Sequence, residues 1–191
     1  GRVILVFDAS GSMQHDAGNG KSRMEEAVAE AKSLIASSEE TLFSVLASDC
    51  GGTKLLAVAE SDKNSLYDTL DGIRCCDGKE NLKNAESVVD TLRGADEESD
   101  AATVIVFADG TGAASAAGFA EYFGAQVRVM GSPVNNVANH FLSCEESQEG
   151  CVAAASLTNY SDGEATLEAS LYAGNRLVQI VSLTLAANET R

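Results

Sequence analysis

The chain has a single proline, two histidines and no tryptophan, and nowhere does it carry an apolar run near the roughly 20 residues that a membrane-crossing helix needs. It is also short of positive charge: 13 Lys and Arg stand against 29 Asp and Glu, a formal net charge of −16. Such a field repels phosphate backbones and anionic membrane surfaces while concentrating cations, so nucleic acid is a poor partner and direct membrane insertion is not expected. Two histidines, with nothing placing either beside a serine and an acid, give no catalytic triad. His15 reads as a solvent-facing loop residue. No G-x-x-x-x-G-K-[ST] loop occurs, and Gly18-Asn19-Gly20-Lys21-Ser22 lacks both its spacing and a preceding strand. The five cysteines contain no C-x-x-C, which disfavours a zinc site.

What is present is a folded α/β pattern, with 45% hydrophobic and 22% charged residues over 191 positions. The chain begins directly on a strand-like pattern, with neither an initiator Met nor a signal peptide, which reads as a piece of something longer. Arg2 to Asp8 is a continuous apolar run ending in a Ser/Gly turn, as expected of a central strand buried on both faces. Met24, Ala27, Val28, Ala31, Leu34 and Ile35 recur at helical spacing within 24–38. Residues 42–47 and 54–59 read as an antiparallel edge pair around Asp49-Cys50-Gly51-Gly52, and 65–73 and 82–92 as helices. Strand 103–108 ends in Asp109-Gly110; a helix over 113–123 and a strand over 126–130 follow. This alternation predicts a doubly wound, mostly parallel sheet spanning 1–133, whose ligands belong beyond the carboxyl ends of the strands. After Pro133 the helices stop. Residues 152–157, 165–172 and 177–185 carry period-2 character, which predicts a small all-β unit of about four strands over 134–191, part of a β-sandwich.

Asp8-Ala9-Ser10-Gly11-Ser12 places three oxygen-bearing side chains at alternate positions on a turn leaving the first strand. A turn that curls can aim all three at one point, and Asp109 supplies a second carboxylate at the end of a neighbouring strand. Carboxylate and hydroxyl oxygens are hard ligands, suited to Mg²⁺, Mn²⁺ or Ca²⁺ and poorly suited to zinc. The bland alternative is a Ser- and Gly-rich turn that only caps a helix.

The run Val3-Ile4-Leu5-Val6-Phe7-Asp8-Ala9-Ser10-Gly11-Ser12-Met13, with the later strand ending in Ala108-Asp109-Gly110, resembles the metal-ion-dependent adhesion site of von Willebrand factor type A domains. The resemblance covers residues 1 to about 133. It implies a Rossmann-like fold in which the first aspartate, both serines, a threonine and the second aspartate hold Mg²⁺ directly or through water, with a partner protein's acidic side chain completing the shell. Where the family threonine would fall, this chain reads Gly78-Lys79-Glu80-Asn81. Glu80 is the nearest oxygen donor, although Lys79 could instead cap the site. The resemblance implies a binding module, not an enzyme. Type A domains followed by β-rich modules also resemble bacterial cell-surface or membrane-anchored proteins.

Two other classes compete with this reading. A haloacid dehalogenase-type phosphatase also carries an aspartate after its first strand, but it uses a second one two residues later as the acid, where this chain has Ser10. A metal-free structural spacer of a surface protein is favoured by the missing threonine. The expected topology brings Cys50 near the loop of Cys75 and Cys76, and sets Cys144 and Cys151 across a hairpin. Two bridges and one free thiol are therefore expected, with an oxidising, extracytoplasmic location, against an alternative of five reduced cysteines. Asn159-Tyr160-Ser161 and Asn188-Glu189-Thr190 fit the N-glycosylation pattern, which is too short to assign a role.

Overall fold

The computed structural model describes residues 1–79, 81–94, 102–131, 137–147, 150–161 and 163–191. The chain divides into two compact units, Gly1–Ser132 and Pro133–Arg191.

In the first unit β1 (Arg2–Asp8) lies at the centre of a five-stranded sheet of order β3-β2-β1-β4-β5. The others are β2 (Leu42–Asp49), β3 (Gly52–Glu60), β4 (Thr103–Ala108) and β5 (Gln126–Val129). Only β3 runs antiparallel, against β2 at one edge. The unbroken apolar run of β1 follows from this placement, because each face of the strand feeds a separate core. Leu5 and Phe7 join a cluster with Met24, Ala31, Ile35, Phe43 and Leu66. Ile4 and Val6 face the other way, into Leu82, Val89, Val104 and Phe119. Phe7 stacks on Phe107 with ring centroids 4.9 Å apart. Fully buried side chains of this size each contribute about 1.5–3 kcal/mol of transfer free energy, so the sheet is held mainly from its two faces.

The helices of those faces are α1 (Arg23–Ser37), α2 (Lys63–Asp71), α3 (Glu86–Gly94) and α4 (Gly110–Phe123). Helix α1 opens on a reciprocal cap: the Glu25 N–H donates to Ser22 Oγ at 3.1 Å, and the Glu25 carboxylate accepts the Ser22 N–H at 2.6 Å. The stretch expected to be one helix from Leu82 splits into a 3₁₀ turn, Leu82–Ala85, followed by α3. Helix α4 starts three residues earlier than its apolar pattern predicts, because Asp109 caps it by accepting the Gly112 N–H at 2.7 Å. It ends on Gly124 at φ +63, a left-handed position that costs glycine nothing.

The second unit consists of two antiparallel pairs. Strand β6 (Val137–Ser147) pairs with β7 (Gly150–Asn159), and β8 (Ala165–Ala173) with β9 (Arg176–Leu185). The mixed run of β6 has no clean period, so the sequence implies this strand of the Cys144–Cys151 hairpin without giving its bounds. Buried Asn159 ties the pairs together: its Nδ2 donates to the carbonyls of Gly163, Leu185 and Ala186. The first N-glycosylation pattern is therefore a structural asparagine. Cys144 and Cys151 are joined as a disulfide, Cα–Cα 6.5 Å, across the β6–β7 hairpin. Among the described residues no helix is long and apolar enough to cross a membrane.

Candidate metal centre

Asp8 is the last residue of β1, level with Ser48 of β2, and its side chain is fully buried. Chain direction reverses there because the Ser10 N–H donates back to Asp8 Oδ1 at 2.9 Å, and Gly11–Gln14 then forms a 3₁₀ turn anchored by buried Met13. That turn brings Ser10 Oγ within 3.1 Å of Ser12 Oγ. Two cis ligands of an octahedral ion with ~2.1 Å bonds stand about 3.0 Å apart, whereas Ca²⁺, with bonds of ~2.3–2.6 Å, would separate them by ~3.3–3.7 Å. The hydroxyl pair, hydrogen-bonded at this distance, is spaced as adjacent ligands of such an ion would be.

Asp109 reaches the same place from β4, the neighbouring parallel strand. Its buried carboxylate caps α4, and Gly112 in that first turn lies so close to Asp8 that a β-carbon there would collide with the Asp8 carboxylate and stand 3.1 Å from Ala108 Cβ. A glycine is thus required for the two acidic arms to meet. The amino end of α4 carries a partial positive charge that favours both carboxylates. On the other side, Gly11 donates its N–H to Gly78 O at 2.9 Å, and a side chain at Gly11 would meet Cys76 O at 3.2 Å. The loop between α2 and Leu82 is also held by Ser48 Oγ, which donates to Asn81 O at 2.7 Å. Glu80 itself lies outside the described residues. Thr53 shares a hydrogen bond with Ser48 and has no part in the cluster. His15 is exposed, as expected.

Sequence reasoning missed Arg23. Its Nη1 donates to Ser12 O and to Asp109 Oδ2, each at 3.1 Å, and the side chains of this ion pair are 9% and 3% exposed. Arg23 Nε has no hydrogen-bond partner among the described residues and packs against Gly131. A signal was available. Arg23 occupies the first position of α1, where the helix dipole disfavours a cation, so an arginine there wants another reason to exist. Asp109 with Gly112 and Arg23 as donors still has capacity, since a carboxylate offers about four lone-pair sites. It can accept from a metal-bound water without losing either partner.

The three remaining thiols depart from expectation, for Cys50 is not bridged to Cys75 or Cys76. Cys75 is half-buried beside the site, and burial, helped by the negative charge of Asp8, pushes its thiol up to about 11.

The sequence profile of the von Willebrand factor type A domain matches residues 3–111, which span β1 through the first turn of α4 and contain every residue of the cluster. The chain belongs to that family. No curated protein matches it. Among solved structures, an aerotolerance-related membrane protein from Bacteroides fragilis is 20% identical, with 80% of each chain covered and a TM-score of 0.53. The conserved hypothetical protein BatB from Bacteroides thetaiotaomicron is 21% identical over 80% of this chain and 79% of its own, also with a TM-score of 0.53. Three N-terminal domains of the type V pili tip protein Mfa5 from Porphyromonas gingivalis are 16% identical, with a TM-score of 0.48. This type A chain covers 19% of that Mfa5 structure, and 57% of its own length is matched. At these identities the likeness is one of fold.

Proposed function

We propose that the type A domain is a protein-binding module that holds a hard divalent cation, Mg²⁺ in first place with Mn²⁺ or Ca²⁺ as alternatives, through Asp8, Ser10, Ser12 and Asp109. Type A domains generally serve as interaction modules and not as enzymes. The observation that carries the reading is the approach of Ser10 Oγ to Ser12 Oγ at 3.1 Å beside a buried aspartate, the spacing of adjacent ligands on a small octahedral ion. In this arrangement Asp8 supplies the anionic oxygen, the serines supply neutral ones, and Asp109 orients a water while Arg23 holds its far oxygen. Glu80, the oxygen donor nearest in sequence to where the family threonine would fall, is the remaining candidate ligand. A bound cation would supply an electrophilic point at the loop end of the sheet, able to accept a carboxylate from a partner protein. Serine at position 10 leaves no second acid in the turn, which speaks against a phosphatase.

One observation favours a metal-free spacer: the guanidinium of Arg23 already balances Asp109. Calorimetric titration with Mg²⁺, Mn²⁺ and Ca²⁺ separates the two. The binding module predicts heat and, at a hundredfold excess over Kd, a stabilisation of about 2.7 kcal/mol that raises Tm in the wild type, and neither in Asp8→Ala. Indifference of the wild-type chain to all three ions selects the spacer. The Cys144–Cys151 disulfide supports an extracytoplasmic, surface or membrane-tethered setting, and the Bacteroides fragilis neighbour is itself a membrane protein.

A further inference from the structure

The free cysteines occupy unlike environments. Cys75 packs against the α1-side core, whereas Cys50 is exposed on the β2–β3 turn and Cys76 stands beside it. Cys76 Sγ accepts the Cys50 N–H at 3.1 Å and the Gly78 N–H at 3.3 Å. Gly78 closes over the pair: a β-carbon there would lie 2.6 Å from Cys50 Cβ and 3.1 Å from its sulfur. The backbone of Cys76 is fixed against the metal-centre turn, its N–H donating to Ala9 O at 2.9 Å and its carbonyl accepting from Gln14 Nε2 at 3.2 Å.

We propose that Cys50 and Cys76 are a dithiol that closes to a disulfide by exchange with an external disulfide, stapling the β2–β3 turn to the loop beside the metal centre. The proposal stands whether or not the centre holds a cation. Cys76 is the attacking group. Burial opposes its ionisation, but the hydrogen bonds from the Cys50 thiol and from the Cys50 and Gly78 N–H groups bring it below the ordinary thiol range. The Cys50 thiol is pushed up, by its hydrogen bond to Cys76 foremost, then by burial and by the negative charges of Cys76 and Asp49. In the first step Cys76 S⁻ attacks one sulfur of RSSR; the S–S bond breaks, a mixed disulfide forms, and RS⁻ leaves to take up the proton Cys76 released. Cys50, losing its proton, then attacks the Cys76 sulfur and expels the second RS⁻. Two protein thiols are oxidised and one external disulfide is reduced to two thiols.

Incubated with oxidised glutathione, the full chain should fall from its three free thiols to one, and a non-reducing proteolytic map should join Cys50 to Cys76. Cys50→Ser should stop at the mixed disulfide, with glutathione on Cys76, and Cys75→Ser should bridge as the wild type does. Closure should raise Tm by roughly 5–10 °C, since it shortens the accessible unfolded chain between the two positions. Three persistent thiols, glutathione retained on wild-type Cys76, or a map joining Cys75 to either partner overturns the dithiol. A closed bridge with unchanged Tm overturns the staple.

Discussion

Replacing Arg23 by methionine removes the cation that, among the described residues, pairs with Asp109 in the acidic cluster. Methionine keeps most of the aliphatic volume, so the packing loss is small, and the change is chiefly electrostatic. The Arg23–Asp109 pair is 3.1 Å apart and nearly excluded from solvent. At an effective dielectric of about 20, unit charges at that separation attract by ~5 kcal/mol, and removing one partner of a buried pair typically costs ~3–5 kcal/mol. Against a usual stability of about 5–15 kcal/mol this is a large share, and for a chain of this size it corresponds to a fall in Tm of roughly 6–20 °C. The assay is thermal unfolding of wild type, Arg23→Met, Asp109→Asn and the double variant, each in chelator and in millimolar Mg²⁺. The double variant should recover most of the loss, because neither charge is then left alone. Mg²⁺ should stabilise Arg23→Met more than wild type, since the ion supplies the missing positive charge. A loss under about 1 kcal/mol, or a double-mutant cycle with no coupling, would refute the argument that this pair holds the two arms of the centre together.

Gly112→Ala should destabilise the protein by about 1–3 kcal/mol and abolish cation heats in calorimetry, because its β-carbon is driven into the Asp8 carboxylate. Incubation with p-nitrophenyl phosphate and Mg²⁺ should release no nitrophenol; turnover that vanishes in Asp8→Asn would restore the phosphatase. Cys75, with its thiol held near 11, should be the slowest of the free cysteines to react with iodoacetamide at pH 8, and peptide mapping of a time course reads this directly. Asn159→Ala should cost about 1–3 kcal/mol, chiefly for the buried Leu185 carbonyl left unmatched, and Asn159 should stay bare when the chain is expressed in a glycosylating host.

How much of this was legible depended on whether the cause was local. The apolar run of β1 announced a strand covered on both faces, and the sheet bears it out with Leu5 and Phe7 in one core and Ile4 and Val6 in the other. The antiparallel β2–β3 pair followed from its short turn. Strand β6 was implied by the hairpin of Cys144 and Cys151 but had no readable bounds, because its residues neither alternate nor run together, and partnership with β7 supplies the order its own sequence lacks. Asp109 read as a strand-end carboxylate, but its capping of α4 needs the backbone of Gly112 and could not be seen in composition. Arg23 and Asp109 stand 86 positions apart, and no spacing rule links them. The thiols show a finer version of the same limit: topology brought Cys50 to the right loop, but only packing distinguishes Cys76 beside it from Cys75 in the core.

The two rims of the five-stranded sheet are unequal, and the difference bears on how the protein behaves in concentrated solution. Strand β5 is four residues long and carries Gln126 and Arg128, a poor template for a stranger's backbone. Strand β3 is nine residues long and presents Leu55, Leu56 and Val58 to solvent, the profile of a strand that recruits its own kind. Its pairing with β2 slips register between Phe43 and Val45 and again between Val45 and Leu46, and Ala59 sits at φ +46 with its N–H capped by Ser44 Oγ. These irregularities break the straight ladder that edge-to-edge pairing copies, which makes β3 a poorer template than its length and apolar face alone would make it.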